Sequence, residues 1–313
     1  MAKMTRRDLI KAAGVGAAVW AATGGVGSSQ EGKLTKERWK LSLNTSTISP
    51  ASLADKVSAA AKAGYDTIEL WAGDLDKYEK EGRSLTDLGK RIKDLGLGVV
   101  NVIGLWNAMP AKEEEKAKTD EGIRLKLAHA QKVGSKHIAA LPTPDRADMD
   151  VLWAAKRYRE IIEMAKDFGI VPAVEFVGFY KGIHTLGQAA GVAIESDSPN
   201  ACIVCDTFHL YRGGSTFTGV ALLSASAFAV CHFNDVPQEP AQFELKDADR
   251  IYPGDGILPL PQFLRDLWKT GFRGPLSLEI FNRAEWKKDP FEVARIGLDK
   301  MRRVIAASGV GVA

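Results

Sequence analysis

The 313-residue chain is short of several residue types on which whole function classes depend. Cysteine occurs only three times, as Cys202, Cys205 and Cys231. An odd and small number argues against a disulfide framework. CIVC, residues 202 to 205, has the spacing of a redox motif but lies inside an apolar, strand-like run. Residues three apart in a strand point to opposite faces, so these thiols read as packing. No glycine-rich phosphate fingerprint follows the first apolar run, because LSLNTSTISP does not contain GxGxxG. That weighs against dinucleotide binding. Low-complexity segments and interdomain linkers are also missing.

An excess of basic charge is missing too, once the front of the chain is set aside. The formal net charge is +3. Residues 1–30 carry Lys3, Arg6, Arg7 and Lys11 against Asp8. Removing these four bases and one acid from 42 and 39 leaves 38 of each. A neutral body lacks the electrostatic footprint of a nucleic-acid or anionic-membrane binder. The front itself reads as a twin-arginine-type signal segment, residues 1–30. Arg6-Arg7 is followed by an uncharged, Gly- and Ala-rich run from Ala12 to Gln30. The run is too weakly apolar to be a stable membrane anchor. The expectation is therefore an exported, periplasmic protein whose folded part is a single domain over residues 38–313.

Within that domain a unit repeats: an amphipathic helix ending near Gly, a few polar residues, then a short apolar strand. Eight strands are expected: KLSLN, DTIELW, GVVNVIG, KHIAAL, VPAVEF, ACIVCD, FAVCHF and PLSLEIF. Helical patterns separate them, from SLADKVSAAAKAG through VALLSASA and LPQFLRDLWKTG to FEVARIGLDKMRRVIAAS. Near-continuous apolar strands alternating with helices imply a parallel sheet covered by helices. Eight such units favour a closed (β/α)8 TIM barrel. The longest irregular stretch, residues 234–256, is expected to cover a site.

Function in such a barrel sits at the C-terminal ends of the strands. The fifth strand ends at Glu175, the sixth at Asp206, the seventh at His232 and the eighth at Glu279. The spacings are 31, 26 and 47 positions, about one β/α unit each and one unit plus the long loop. Each of these residues taken singly reads as a solvated charge or a core histidine. Four at one phase of the repeat converge on one mouth, where buried charge needs a balance. Three carboxylates and one imidazole suit a single divalent ion: Mn²⁺ first, with Mg²⁺, Co²⁺ or Zn²⁺ as alternatives. Trp71 and Trp106 at neighbouring strand ends, with Phe176, Phe208 and Phe281, are candidate apolar walls for a sugar ring, and Trp106 is taken as a substrate contact. Glu69 alternates with Trp71 and is a candidate polar contact.

The runs VEFVG, CDTFH, CHFNDVP, DADRIYPGDG and GFRGPLSLEIFN resemble, in order and spacing, the xylose-isomerase-like sugar isomerase and epimerase barrels. The resemblance lies nearest the inosose (2-keto-myo-inositol) isomerase type and runs from about residue 40 to the C-terminus. It implies that Glu175, Asp206, His232 and Glu279 bind one divalent metal. It also implies that His209 and Arg250 contact the substrate, and that Glu175 and Glu279 carry the proton transfer from opposite sides of the sugar. The implied activity is isomerisation or epimerisation of an unphosphorylated keto-sugar or inosose through an enediolate. The partner is then a small carbohydrate, and a homo-oligomer is left open. Three rivals share the scaffold. A lyase or dehydratase acting on a 3-keto-glycoside begins with the same proton abstraction. An abasic-site endonuclease needs more metal ligands than five histidines provide and a basic face. A non-catalytic sugar-binding barrel would need no proton transfer.

Overall fold

The computed structural model describes residues 37–312. The expected signal segment, residues 1–30, lies outside the described residues. Eight parallel strands close into a barrel in chain order. They are β1 (Leu41–Asn44), β2 (Thr67–Trp71), β3 (Gly98–Leu105), β4 (His137–Ala140), β5 (Val171–Glu175), β6 (Cys202–Asp206), β7 (Phe228–Phe233) and β8 (Leu276–Leu278). β1 pairs with both β2 and β8, which completes the ring.

The helices are α1 (Leu53–Ala63), α2 (Ala72–Lys80), α3 (Leu85–Asp94), α4 (Lys116–Lys132), α5 (Val151–Ala165), α6 (Leu186–Glu195), α7 (Thr207–Arg212), α8 (Leu260–Lys269) and α9 (Pro290–Ser308). Local chemistry sets their ends. The Ser52 side chain accepts the Asp55 N–H and starts α1, and Gly64, at φ 92°, terminates it in the left-handed region. Asp150 caps α5, which starts at Val151, six residues before the pattern RYREIIEMAKDFG begins. No helix among the described residues is long and apolar enough to cross a membrane.

Two apolar layers follow from the period-two alternation of the strands. Ile103, Ala139, Ala173, Val204 and Val230 fill the barrel interior. Leu43, Ile68, Val102, Val174, Cys205, Cys231 and Leu278 face outward against the helices. Burying each Leu, Ile or Val among them contributes about 1.5–3 kcal/mol. Cys202 belongs to the inner layer and Cys205 to the outer one, as opposite-face packing requires. Burial pushes the Cys202 thiol up to about 12, so it is inert at neutral pH.

Three elements differ from the pattern read in the sequence. VALLSASA forms no α-helix; short 3₁₀ turns occupy Phe217–Leu222 and Ala225–Ala227. The β6–β7 connection begins with α7 at the barrel mouth, and the chain after it turns only in 3₁₀ geometry. α2 carries a weak signal because only Ala72 and Leu75 on it are buried. β8 is three residues long, so Glu279 lies one position past its end.

Candidate metal centre and active site

Strand parity brings the site together. On β5, Ala173 points inward and Val174 outward, so Glu175 points inward again. The same alternation turns Asp206 and His232 into the barrel mouth, and the register pairs them directly across β6 and β7. Glu279 follows outward-facing Leu278. One ligand atom from each of Glu175, Asp206, His232 and Glu279 lies within 4.8 Å of the others, and all four residues are buried. His232 Nδ1 stands 3.2 Å from Glu175 Oε1, 3.3 Å from Asp206 Oδ2 and 3.0 Å from Glu279 Oε2. Yet it has no hydrogen-bond partner. Three buried carboxylates crowding an imidazole nitrogen that donates to none of them is an arrangement a divalent cation would balance. The donor set therefore fits such an ion.

The electrostatics sharpen that fit. Burial, with Glu175 adding to it, pushes the Glu279 carboxyl up to about 7 against the pull of His232 and Arg250. For His232, burial disfavours the charged form, but Glu279, Glu69 and Glu175 together outweigh it and hold the ring well above its ordinary value. Burial opposes ionisation of Asp206 too; Arg250, with His232 adding to it, overcomes this and holds that carboxyl well below its usual range. A metal needs these groups deprotonated. Both raised groups, Glu279 and His232, bind protons more readily than usual, so protons compete with the metal. Metal affinity should therefore rise as pH is raised through about 7, and binding should release protons. Titration calorimetry in two buffers of different ionisation enthalpy checks this; a buffer-independent heat would contradict it.

Arg250, expected as a substrate contact, lines the pocket and is held by carboxylates. The segment carrying it is anchored by Asp235, whose carboxylate accepts the N–H groups of Val236, Gly254, Gly256 and Leu258. Arg250 Nη1 donates to Asp206 Oδ2 at 2.5 Å and to Glu279 Oε2 at 2.9 Å. Nε and Nη2 both donate to Asp247 Oδ1, and Nη2 also lies 3.1 Å from His209 Nε2. The guanidinium sits between the rings of Phe208 and Phe281. Four of its five N–H groups thus meet carboxylate oxygens, and the fifth points at His209 Nε2.

His209 lines the pocket with Arg250. Burial lowers its pKa, and the Asp206 charge only partly offsets this, so the ring is neutral. Gly178 N–H approaches its Nδ1 at 3.1 Å while Arg250 approaches Nε2. A neutral imidazole accepts at one nitrogen only, so one of the two contacts is not a hydrogen bond. Gly178 is required here, because a Cβ on it would stand 2.8 Å from His209 O and 2.7 Å from Gly213 N.

The pocket over the cluster measures about 100 Å³ and is walled by Trp71, Trp106, Phe179, Tyr180 and Phe281. Trp106 stands at the rim, 44% exposed, and leans on Trp71. Phe176 and Phe208, expected as walls, are wholly buried behind it. A larger surface groove of about 480 Å³ beside α6 holds no comparable cluster of ligating groups. Sequence reading missed several supporting residues. Asn44 Nδ2 donates to Glu279 Oε1 at 2.9 Å, and Asn234 Nδ2 donates to Asp206 Oδ1 at 3.2 Å. Asp247, Phe179 and Tyr180 also line the pocket. Their one advance signal was position: Asn44 ends β1, and Asn234 and Asp247 lie in the long loop.

Comparison with known proteins agrees with this geometry. An inosose isomerase of Bacillus licheniformis is 27% identical over 280 residues, covering 85% of this chain and 98% of that protein. A 3-dehydroshikimate dehydratase of Pseudomonas aeruginosa is 26% identical over 74% of this chain, which matches only 36% of that longer protein. In fold, the crystal structure of the IolI protein with a binding zinc atom matches with a TM-score of 0.79 and 24% identity, over 85% of this chain and 98% of that one. Residues 57–304, all but the first strand and the chain ends of the barrel, match one family along their whole length. With its eight-stranded barrel and its strand-end cluster, the chain belongs to the xylose isomerase-like TIM barrel family.

Proposed function

We propose that this protein is a divalent-metal-dependent isomerase or epimerase acting on an unphosphorylated keto-sugar or inosose by proton abstraction next to a carbonyl. The observation that carries the reading is the pairing of Glu175 and Glu279. They come from opposite sectors of the barrel, line one pocket and crowd one imidazole nitrogen. A cation held by Glu175, Asp206, His232 and Glu279, with Mn²⁺ the first candidate, would supply Lewis-acid stabilisation of charge developing on the substrate oxygens. Glu279, holding the cation through one oxygen, would exchange a proton with the substrate through the other. Glu175 stands ready on the other side to take or return the second proton. His209 is placed to donate to or accept from a substrate oxygen. Arg250 holds Asp206 and Glu279 in position, and the aromatic walls stack on the C–H faces of the ring and exclude water. Among the described residues Arg250 is the one Lys or Arg lining the pocket, and its charge is paired with Asp206, Asp247 and Glu279, which disfavours a phosphorylated substrate.

Incubating the purified protein with inosose and with a 3-keto-glucoside in D₂O tests this. Isomer formation with deuterium uptake, lost on chelation, is the expected result. Release of aglycone with no isomer would instead establish the lyase reading, which the dehydratase relative supports. The Arg6-Arg7 pair supports export through the twin-arginine route. Arg6→Lys with Arg7→Lys should leave the protein in the cytoplasmic fraction; equal export of both forms would refute the signal.

A further inference from the structure

We infer that Glu69 is a positioning residue for the metal centre: it accepts the Nε2–H of His232 and so turns the Nδ1 lone pair toward the three carboxylates. Glu69 is fully buried at the inward-facing position of β2. Its Oε1 lies 3.2 Å from His232 Nε2 and accepts Asn101 Nδ2 at 2.8 Å. Its Oε2 accepts Asn44 Nδ2 at 3.2 Å. An ionised carboxylate only accepts, so the ring nitrogen facing it carries the hydrogen. A ring that binds a metal gives up its second proton, and the neutral imidazole that results has a single N–H, which leaves Nδ1 as the lone-pair atom. The orientation of Asn44 is itself determined. Its Oδ1 accepts the Trp71 indole N–H at 2.8 Å and the Ser46 N–H at 3.0 Å. Its Nδ2 must then face Glu69 and Glu279, and the β1–β2 register holds Asn44 directly beside Glu69. One buried bridge thus orients the imidazole and, through Asn44, the Glu279 carboxylate.

The inference rests on the four-residue metal reading and is tested apart from turnover. Co²⁺ affinity of the full chain is measured by chelator competition, with the visible spectrum reporting coordination. Glu69→Gln keeps the shape but removes the charge, and it places an amide N–H₂ among existing donors. Metal affinity should fall ten- to a hundredfold, the usual cost of losing an outer carboxylate partner of a metal-bound histidine. Asn101→Ala removes one donor to Glu69 and leaves the Glu69–His232 contact in place. It should lower thermal stability yet hold Co²⁺ affinity within about threefold of the parent. Glu69→Gln binding Co²⁺ as tightly as the parent would overturn the inference. The unmodified protein supplies a second readout. In ¹⁵N-histidine spectra of the Zn²⁺-loaded form, His232 should carry its proton on Nε2, and a proton on Nδ1 would overturn the inference even if the Glu69 variant fails to fold. A parent that takes up neither ion sinks the metal reading and this inference together. A parent that takes up the ion but converts no keto-sugar sinks only the proposed function.

Discussion

Glu279→Gln is expected to lower kcat roughly a thousandfold, within the hundred- to ten-thousandfold range that one acid or base contributes. The substitution keeps the length of the side chain and one oxygen donor. It removes the carboxylate oxygen that would exchange a proton with the substrate. The new amide N–H₂ also faces Asn44 Nδ2 or Arg250 Nη1, both donors, where the carboxylate accepted from each. Because Glu279 is also a candidate ligand, metal content must be measured beside turnover. The expected pattern is a deep loss of kcat at saturating metal with a much smaller change in KM. Turnover above about a tenth of the parent would contradict a proton-transfer role. The same substitution at Glu175, on the other side of the pocket, should reproduce the loss if both carboxylates move protons.

Arg250→Met should be the most destabilising single change in the site. The guanidinium is buried and balances Asp206 and Glu279, which are themselves buried. Removing one partner of a buried ion pair costs about 3–5 kcal/mol, because charge is left unpaired. For a domain of this size that corresponds to a fall in Tm on the order of 10 °C. Arg295→Met, which breaks an exposed pair with Asp299, should leave Tm nearly unchanged. Added divalent metal should raise the Tm of the Arg250 variant more than that of the parent, since the ion supplies charge the variant lacks. Scanning calorimetry with and without metal decides it. A variant that melts within a degree or two of the parent would show that the carboxylates are balanced by other means.

Much of the site is legible in the sequence. The strand ends at Glu175, Asp206, His232 and Glu279 stand at one phase of a repeating β/α unit, and the geometry brings those four side chains together. Phase is readable because strand alternation and unit length are properties of the local chain. Arg250 and His209 were legible as neighbours of the cluster, but their hydrogen-bond partners were not. Those partners come from Asp247, Gly178 and two metal-ligand candidates, each on a different connection. Glu69 and Asn44 were weakest in the sequence, since a Glu beside Trp and an Asn at a strand end are ordinary surface residues until a barrel closes over them. VALLSASA carried helical composition, yet its connection forms α7 at the mouth and the segment itself turns only in 3₁₀ geometry.

The sequence by itself determined the repeating unit, the closed barrel and the residue types at the strand ends, because each depends on periods of two and 3.6 residues within a short window. The tertiary structure alone decided which groups share a proton or a charge. Ring closure sets β1 and β2 against β7 and β8, and so places Glu69 against His232 and Asn44 against Glu279 across 163 and 235 positions of chain. Contacts at that separation are fixed by the register of eight strands together, and no local pattern encodes them.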